Sequence, residues 1–185
     1  MKIGVLALQG SFHEHIEALK KLNIETIQIK LPEQLDEIDA LIIPGGESTT
    51  MLQLLEKYKF DLKQFKDSGK PILGTCAGCI VLAKLGLIDI KVERNAYGSQ
   101  LFSFIDEVVL EDKENNVEKK KIKGVFIRAP KITDIGQEVK ILATHNNKPV
   151  LVKQNNIMTA TFHPELTDDV DVYEIFLNMI DKTTN

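Results

Sequence analysis

Cysteine is scarce in this sequence. Only two of its 185 residues are cysteine, and they lie three positions apart as Cys76 and Cys79. A pair this close cannot form the framework of cross-links that stabilises small secreted domains. Three uses remain for the pair, namely a redox dithiol, half of a metal site, or a nucleophile with an inert neighbour. The sequence therefore excludes a disulfide scaffold and confines cysteine chemistry to one short segment.

The chain also lacks an excess of basic charge. It has 23 lysine and arginine residues against 27 aspartate and glutamate residues, which gives a net charge of -4. Its densest basic run, residues 119–121, stands among acidic residues and is interpreted as a solvated turn. A protein that binds nucleic-acid phosphates needs a basic surface, so no nucleic-acid partner is predicted.

Long apolar runs are missing as well. No stretch approaches the roughly 20 apolar residues that span a membrane, and the N-terminal segment lacks a signal-peptide cleavage region. We therefore expect a cytoplasmic protein without a membrane partner. The 43% hydrophobic and 27% charged composition is ordinary for a globular protein, and the length predicts one domain over residues 1–185.

Short apolar runs in the first half are typical of parallel strands covered on both faces. They alternate with segments of helical periodicity, which predicts a doubly wound, mostly parallel α/β sheet. A capping box of Ser11 and Glu14 is expected to begin the first helix. Either Ser48 or Thr49 is expected to cap the second. The strands are predicted at residues 2–8, 26–29, 40–43 and 71–75.

The second half has a different pattern. Its runs alternate in polarity, and the connections between them are too short for crossover helices, so an antiparallel β extension is predicted. Asn146-Asn147 and Asn155-Asn156 are the predicted turns, and a helix over 170–180 ends the fold. The extension is predicted from residues 88–92, 102–110, 122–127, 139–144, 150–153 and 157–162.

The segment with the clearest chemical pattern surrounds Cys76. An apolar run ends at this cysteine, and Gly74 and Gly78 lie two residues away on either side. This spacing is typical of a nucleophile elbow, a sharp strand-to-helix turn that needs small neighbours. The new helix would begin at Ala77, so its N–H groups and positive dipole end would favour a thiolate and an oxyanion. Cys76 is therefore the candidate nucleophile.

A candidate base lies at the end of the last predicted strand, in the segment His163-Pro164-Glu165. Proline disfavours helix at the preceding residue, and side chains two apart in extended backbone point the same way. The imidazole and the carboxylate are therefore expected to lie within reach of each other. With Cys76 they form a predicted Cys-His-Glu triad, in which Glu165 orients His163.

Two glycines follow the third predicted strand, as Gly45 and Gly46. Strand ends of open parallel sheets form ligand sites, so this turn should lie near Cys76. Its N–H groups can approach an oxyanion because no side chain intervenes. Phosphate binding is the competing use, but the segment lacks the lysine and the spacing of a P-loop.

Arginine is rare, since 21 of the 23 basic residues are lysine. The two exceptions, Arg94 and Arg128, both stand at predicted strand ends. An arginine fork holds a carboxylate with two parallel hydrogen bonds, which lysine cannot do. Surface charge is the alternative for each.

Other histidines have simpler interpretations. His13 and His15 lie two apart near the start of the first helix and on different faces, so no metal pair is predicted. A redox motif of Cys76 and Cys79 remains the alternative to the triad, because the helix start would lower the pKa of the first thiol in either case. That alternative gives no role to His163 and Glu165.

These segments resemble class I glutamine amidotransferases, and among them the glutaminase subunits of pyridoxal 5′-phosphate synthase. The resemblance covers essentially the whole chain and implies a flavodoxin-like fold. Triad and glycine turn are shared across the class, whereas the segments of Arg94 and Arg128 are particular to these subunits. The resemblance is carried by residues 8–10, 14–15, 44–50, 74–78, 92–98, 124–130 and 162–166.

The resemblance implies that L-glutamine is hydrolysed to glutamate and ammonia through a thioester on Cys76. The ammonia would pass to a synthase subunit, a (β/α)₈ barrel, in a hetero-oligomeric complex for vitamin B6 biosynthesis. An amidotransferase subunit of another pathway is the alternative, and no cofactor or metal is predicted. Implied oxyanion donors are Gly46 and Ala77, and implied glutamine-binding residues are Gly46, Glu47, Ser48, Arg94, Ile127 and Arg128.

The free chain is expected to be weakly active and to be stimulated when the synthase subunit docks. Glycine tolerates several backbone conformations, so little should hold the peptide plane of Gly45 and Gly46 in one orientation. Contact from a partner could select the competent orientation.

Overall fold

The computed structural model describes residues 1–94, 103–111 and 120–181. Within these ranges the chain forms eleven strands and five α-helices. They are β1 (Lys2–Leu6), α1 (Phe12–Lys21), β2 (Glu25–Ile29), β3 (Ala40–Ile43), α2 (Ser48–Lys57), α3 (Leu62–Asp67), β4 (Ile72–Thr75), α4 (Ala77–Lys84), β5 (Ile90–Glu93), β6 (Ser103–Leu110), β7 (Lys121–Ile127), β8 (Lys131–Ile135), β9 (Lys140–His145), β10 (Lys148–Gln154), β11 (Ile157–Ala160) and α5 (Asp171–Asp181).

Nine of these strands form one sheet in the order β2-β1-β3-β4-β11-β10-β9-β6-β7. The first five strands of this order run parallel, and β10, β9, β6 and β7 continue the sheet with antiparallel pairing. The predicted parallel α/β sheet with an antiparallel extension is therefore confirmed.

Two layers of helices cover the parallel strands, because alternate residues of a strand face opposite sides. On β3, Ile42 packs in a core cluster with α1 and α5, whereas Leu41 and Ile43 pack in a second cluster with α2, α3 and α4. All four residues of β3 are buried, which explains its continuous apolar sequence. The carboxyl ends of β1, β3, β4 and β11 consequently meet at one edge.

The second half differs from the prediction in two respects. The last strand of the predicted antiparallel extension, β11, is antiparallel only to β10 and pairs in parallel with β4, so it belongs to the parallel part of the sheet. Strand β8 was not predicted, and it pairs with β5 in a separate two-stranded sheet. The sequence of β8 alternates apolar and polar residues over only five positions, and three of these are polar, so its apolar signal is weak. Both predicted asparagine turns are present, and Asn146, Asn147 and Asn155 have positive φ.

Both predicted helix caps are wrong. The side chain of Ser11 makes no capping hydrogen bond to α1. The cap of α2 is Glu47, whose carboxylate accepts hydrogen bonds from the backbone N–H groups of Thr49 and Thr50. The hydroxyl of Ser11 donates to Glu165 instead of capping α1. At α2 the carboxylate of Glu47 is a stronger acceptor than a hydroxyl, and it takes the free N–H groups.

Among the described residues, no helix is long and apolar enough to cross a membrane.

Candidate active site

Cys76 lies in the turn between β4 and α4 with φ 47° and ψ -101°. Positive φ is strained for a residue with a Cβ atom, and such strain concentrates at functional sites. A Cβ atom on Gly78 would collide with the carbonyl oxygen of Ile43, and one on Gly74 would lie 2.8 Å from the carbonyl carbon of Gly78. The glycines thus allow the close approach of strand and helix that the turn around Cys76 requires.

His163 follows β11 at the same edge of the sheet. Its backbone N–H donates to the carbonyl oxygen of Val125 at 2.8 Å, which ties the residue to β7. Its Nδ1 atom lies 2.7 Å from Oε1 of Glu165. The segment Pro164–Leu166 is a turn of 3₁₀ helix, so the carboxylate reaches the imidazole through this turn and not, as the sequence indicated, through extended backbone.

The environment of His163 favours the imidazolium form. Burial disfavours the charged ring, but hydrogen bonds to Cys76 and Glu165, and electrostatic interactions with both, raise the pKa of His163 to about 10. The carboxyl group of Glu165 is buried, which alone would raise its pKa. The neighbouring His15, His163 and Ser11 outweigh burial and lower the pKa of Glu165 to about 2. The pair is therefore an ion pair at neutral pH.

Cys79 lies one turn into α4 and is fully buried. Burial raises the pKa of its thiol to about 12, although a hydrogen bond to Thr159 acts in the opposite direction. Because the thiolate is the reactive form, a thiol with this pKa is inert at neutral pH. The redox alternative therefore lacks a second reactive thiol.

The turn of Gly45 and Gly46 packs directly against His163 and Cys76. A Cβ atom on Gly45 would overlap the ring of His163 and lie 3.4 Å from Cβ of Cys76. The carbonyl oxygen of Gly45 accepts a hydrogen bond from the N–H of Ser11 at 3.1 Å. The expectation that little holds this peptide plane is therefore wrong, because the loop after β1 anchors it.

Three predicted glutamine-binding residues lie together at the start of α2. Nη2 of Arg94 donates to Oε1 of Glu47 at 2.8 Å, and Nη1 donates to Oγ1 of Thr49 at 3.0 Å. Backbone hydrogen bonds from Thr50 and Thr49 lower the pKa of Glu47 to about 2. The hydroxyl of Ser48 is buried and has no hydrogen-bond partner among the described residues. Residues 95–98 of the predicted Arg94 segment lie outside the described ranges.

Ile127 and Arg128 stand at the end of β7. Sγ of Cys76 lies 3.8 Å from the carbonyl oxygen of Ile127, so this strand end borders the thiol. Arg128 is exposed and has φ 43°, a second strained residue beside the same turn. The structure thus brings both residues to the edge that carries Cys76.

Two residues near Glu165 were not predicted to belong to the site. The hydroxyl of Ser11 donates to Oε1 of Glu165 at 2.7 Å, and Nε2 of the fully buried His15 lies 3.4 Å from Oε2. Ser11 directly precedes α1, and His15 lies four residues further on, in the first turn of the helix. In the sequence, this spacing was the available sign that both residues approach the same group. Within the described ranges, no group of three or more histidine, cysteine or acidic residues is placed to hold a metal ion.

A cysteine in a strand-to-helix elbow, beside a histidine–glutamate pair at the carboxyl edge of a doubly wound sheet, is typical of class I glutamine amidotransferases. The model of the SNO glutamine amidotransferase family matches residues 5–182. The chain therefore belongs to the SNO glutamine amidotransferase family.

Individual relatives agree with this assignment. The pyridoxal 5′-phosphate synthase subunit PdxT of Thermosipho africanus is 48% identical over 193 residues, covering 98% of this chain and 100% of the relative. The subunit of the same name from Thermotoga maritima is 51% identical over 191 residues, covering 97% and 100%. The predicted resemblance to pyridoxal 5′-phosphate synthase subunits is thereby confirmed.

Solved structures show the same fold. A crystal structure of a glutamine amidotransferase superposes with a TM-score of 0.90 at 41% identity, covering 97% of this chain and 98% of that chain. A structure of PurLQS from Thermotoga maritima has a TM-score of 0.76 at 18% identity, covering 96% and 97%. The second likeness concerns the fold alone.

Proposed function

We propose that this chain is the glutaminase subunit of a pyridoxal 5′-phosphate synthase, and that residues 1–185 form one catalytic domain. The observation that carries the proposal is the His163–Glu165 pair beside the strained Cys76, in a chain about half identical to synthase subunits over nearly its full length. The reaction is hydrolysis of the side-chain amide of L-glutamine to L-glutamate and ammonia.

Cys76 is the nucleophile, and the imidazolium of His163 is its partner. The thiolate attacks the amide carbon, and the carbonyl oxygen becomes an oxyanion. As the carbon–nitrogen bond breaks, His163 gives its proton to the leaving ammonia, which leaves a thioester on Cys76. Neutral His163 then takes a proton from water that attacks the thioester, and glutamate leaves as the thiolate reforms. Glu165 keeps the ring oriented and stabilises its positive charge.

The N–H groups of Gly46 and Ala77 are the proposed oxyanion donors. Ala77 is the first residue of α4, and the first N–H groups of a helix have no acceptor within it. Gly46 has φ +149° and follows the glycine that packs on His163. Backbone donors fixed in this way stabilise charge as it develops in the transition state.

The α-amino acid end of glutamine presents a carboxylate and an ammonium group. Arg94 and Arg128 offer cationic forks for the carboxylate. Glu47 and the carbonyl oxygen of Ile127 are acceptors suited to the ammonium group, and Ser48 supplies a buried hydroxyl. Gly46 lets the substrate approach the backbone closely.

Ammonia is proposed to pass to a (β/α)₈-barrel synthase subunit in a hetero-oligomeric cytoplasmic complex. The test measures ammonia and pyridoxal 5′-phosphate formed from glutamine, ribose 5-phosphate and glyceraldehyde 3-phosphate, with and without a cognate synthase subunit. We expect synthase to stimulate ammonia release. Complexes with Cys76→Ala should form the product from ammonium salt but not from glutamine.

Two outcomes would contradict the proposal. One is absence of glutaminase activity in a complex that demonstrably forms. The other is stimulation only by a synthase of another pathway, which would favour the alternative amidotransferase assignment.

A further inference from the structure

We propose that His15 is a positioning residue for the catalytic pair, which donates from Nε2 to the inner oxygen of Glu165 in a tautomer that Tyr173 selects. The inference rests on the proposed function. It adds three side chains behind the triad, namely His15 on α1, Tyr173 on α5 and Thr75 on β4.

The two oxygens of Glu165 have unequal surroundings. Oε1 faces Nδ1 of His163 and the hydroxyl of Ser11, each at 2.7 Å. Oε2 is buried and makes no standard hydrogen bond within the described part of the chain. Nε2 of His15 lies 3.4 Å from this oxygen. A buried carboxylate oxygen without a donor is costly, so a donor at this position has a large effect on the carboxylate.

The tautomer of His15 follows from its two other contacts. Nδ1 lies 2.8 Å from the hydroxyl of Tyr173, and Nε2 lies 3.0 Å from Oγ1 of Thr75. Burial, together with the charge of Glu165, raises the pKa of Tyr173 well above its usual value, so the hydroxyl keeps its proton. When that proton is donated to Nδ1, the single proton of the neutral ring resides on Nε2.

The opposite tautomer would face the carboxylate with a lone pair. Nε2 would then repel Oε2 of Glu165, and the hydroxyl of Tyr173 would lose its acceptor. The Nε2–H tautomer instead places a donor 3.0 Å from Oγ1 of Thr75 and 3.4 Å from Oε2. Since Thr75 directly precedes Cys76, the same ring contacts the strand that carries the nucleophile.

His15 orients the carboxylate of Glu165 as a neutral donor, without forming a second ion pair with it. Burial lowers the pKa of His15, and His163 acts in the same direction, whereas Glu165 and Glu14 act to raise it. The ring is therefore neutral at neutral pH. A second cation beside Glu165 would weaken the ion pair with His163, whereas a neutral donor leaves the whole negative charge to it.

The start of α1 approaches both oxygens. Ser11 directly precedes the helix and donates to Oε1, and His15, in the first turn, lies 3.4 Å from Oε2. The hydrogen bonds at Oε1 and the neighbouring donor at Oε2 together restrain rotation of the carboxylate about its terminal bond. The ring of His163, bonded to Oε1, is then oriented as well.

The kinetic test compares three substitutions in the full chain, assayed with its synthase subunit. His15→Met keeps the volume and removes the donor, and His15→Gln restores an N–H. His13→Met is the matched control, because His13 is exposed on the same helix. We expect His15→Met to lower kcat about tenfold with KM within twofold, His15→Gln to keep at least half of kcat, and His13→Met to match the wild type.

A double-mutant comparison separates positioning from general damage. If His15 acts through the carboxylate, then His15→Met should have no further effect on kcat in a Glu165→Gln background. A further tenfold loss in that background would overturn the inference, and so would an unchanged kcat in His15→Met alone. In both cases wild-type activity still supports the proposed function.

A second measurement needs no activity and does not risk the fold. Nitrogen-15 NMR of the imidazole rings, recorded on the Cys76→Ala chain from pH 6 to 9, should show His15 neutral with its proton on Nε2. Tyr173→Phe, introduced into the same Cys76→Ala chain, removes one oxygen atom and should populate the Nδ1–H tautomer. Observation of a charged His15, or of the Nδ1–H tautomer in the unsubstituted network, would overturn the inference.

Discussion

Ser11 and Glu165 are separated by 154 positions in the chain, yet the hydroxyl of one donates to the carboxylate of the other at 2.7 Å. The contact joins the first helix to the turn that carries the proposed base. Since the N–H of Ser11 also holds the carbonyl oxygen of Gly45, one residue supports both the carboxylate and the glycine turn. The beginning of the chain is therefore part of the site that its end completes.

Ser11→Ala should accordingly lower kcat about three- to tenfold, because the buried carboxylate loses one of its donors while the backbone contact to Gly45 remains. Steady-state ammonia release measures the effect. Ser68→Ala is the control, because its hydroxyl donates to the carbonyl oxygen of Phe65 in the preceding helix, and it should leave kcat unchanged. An unchanged kcat in Ser11→Ala would show that the hydroxyl does not support the carboxylate.

Substitution of each cysteine should separate their roles. We expect Cys76→Ala to abolish glutamine hydrolysis and Cys79→Ala to retain most of it, since only the first thiol lies at the elbow and the second is buried with a raised pKa. A glutamine-derived electrophile should label Cys76 alone, which peptide mass spectrometry can check. Equal losses in both variants would return the redox pair to consideration.

Removal of the base should be more damaging than removal of its orienter. His163→Ala is expected to lower kcat by about a thousandfold or more, and Glu165→Gln by about ten- to a hundredfold, because triad members act as a unit and the orienter contributes less. Thermal unfolding of both variants serves as the folding control. If Glu165→Gln left kcat unchanged, the site would be a dyad.

The alkaline limb of activity should report the proton on His163. Its pKa is raised to about 10, so the imidazolium that protonates the leaving ammonia persists from neutral pH to about 10 and is lost above it. We expect kcat/KM to be flat from about pH 7 to 9 and to fall above about 10. Because Glu165 contributes to the raised pKa, Glu165→Gln should move this limb to lower pH.

Alkylation of Cys76 by iodoacetamide is the control for this profile. It needs a thiolate but no proton donor, so its rate should not fall at alkaline pH. A limb at the same pH in the wild type and in Glu165→Gln would assign the ionisation to another group.

The two arginines should affect substrate binding. Arg94→Lys and Arg128→Lys keep the charge and lose the fork, so we expect KM for glutamine to rise roughly tenfold at nearly constant kcat. The unfolding temperature should stay close to that of the wild type, because both side chains are exposed. Unchanged KM in both variants would make them ordinary surface charges.

Much of the fold could be predicted because buried strands require apolar residues, and these form recognisable runs in the sequence. β3 and β4 are buried at every residue, and β3 therefore appears as a continuous apolar run, whereas β4 has two apolar residues followed by the small residues Gly74 and Thr75. The pairing of β5 with β8 leaves a weaker trace, because β8 is short and three of its five residues are polar. Paired residues of β5 and β8 lie 38 to 45 positions apart, and the choice of such distant partners depends on packing that no local pattern contains.

The site was predictable where backbone geometry constrains residue type. Gly74 and Gly78 flank Cys76 because a Cβ atom at either position would collide with neighbouring atoms. His15 was not predicted, because its spacing from Ser11 does not by itself identify the residues that a helical histidine contacts. Its contacts with Tyr173 and Glu165 join residues 158 and 150 positions away, and only the folded chain brings them together.

The position of β11 has a consequence for biosynthesis. It is the last strand of the chain, yet it lies fifth among nine in the sheet, where Thr159 donates to the carbonyl oxygen of Gly74, 85 residues earlier. A nascent chain that lacks this strand leaves edges of β4 and β10 unpaired, and such edges invite aggregation. Contacts of this range also slow folding. The turn that carries Cys76 can therefore reach its native conformation only when nearly all of the polypeptide has left the ribosome.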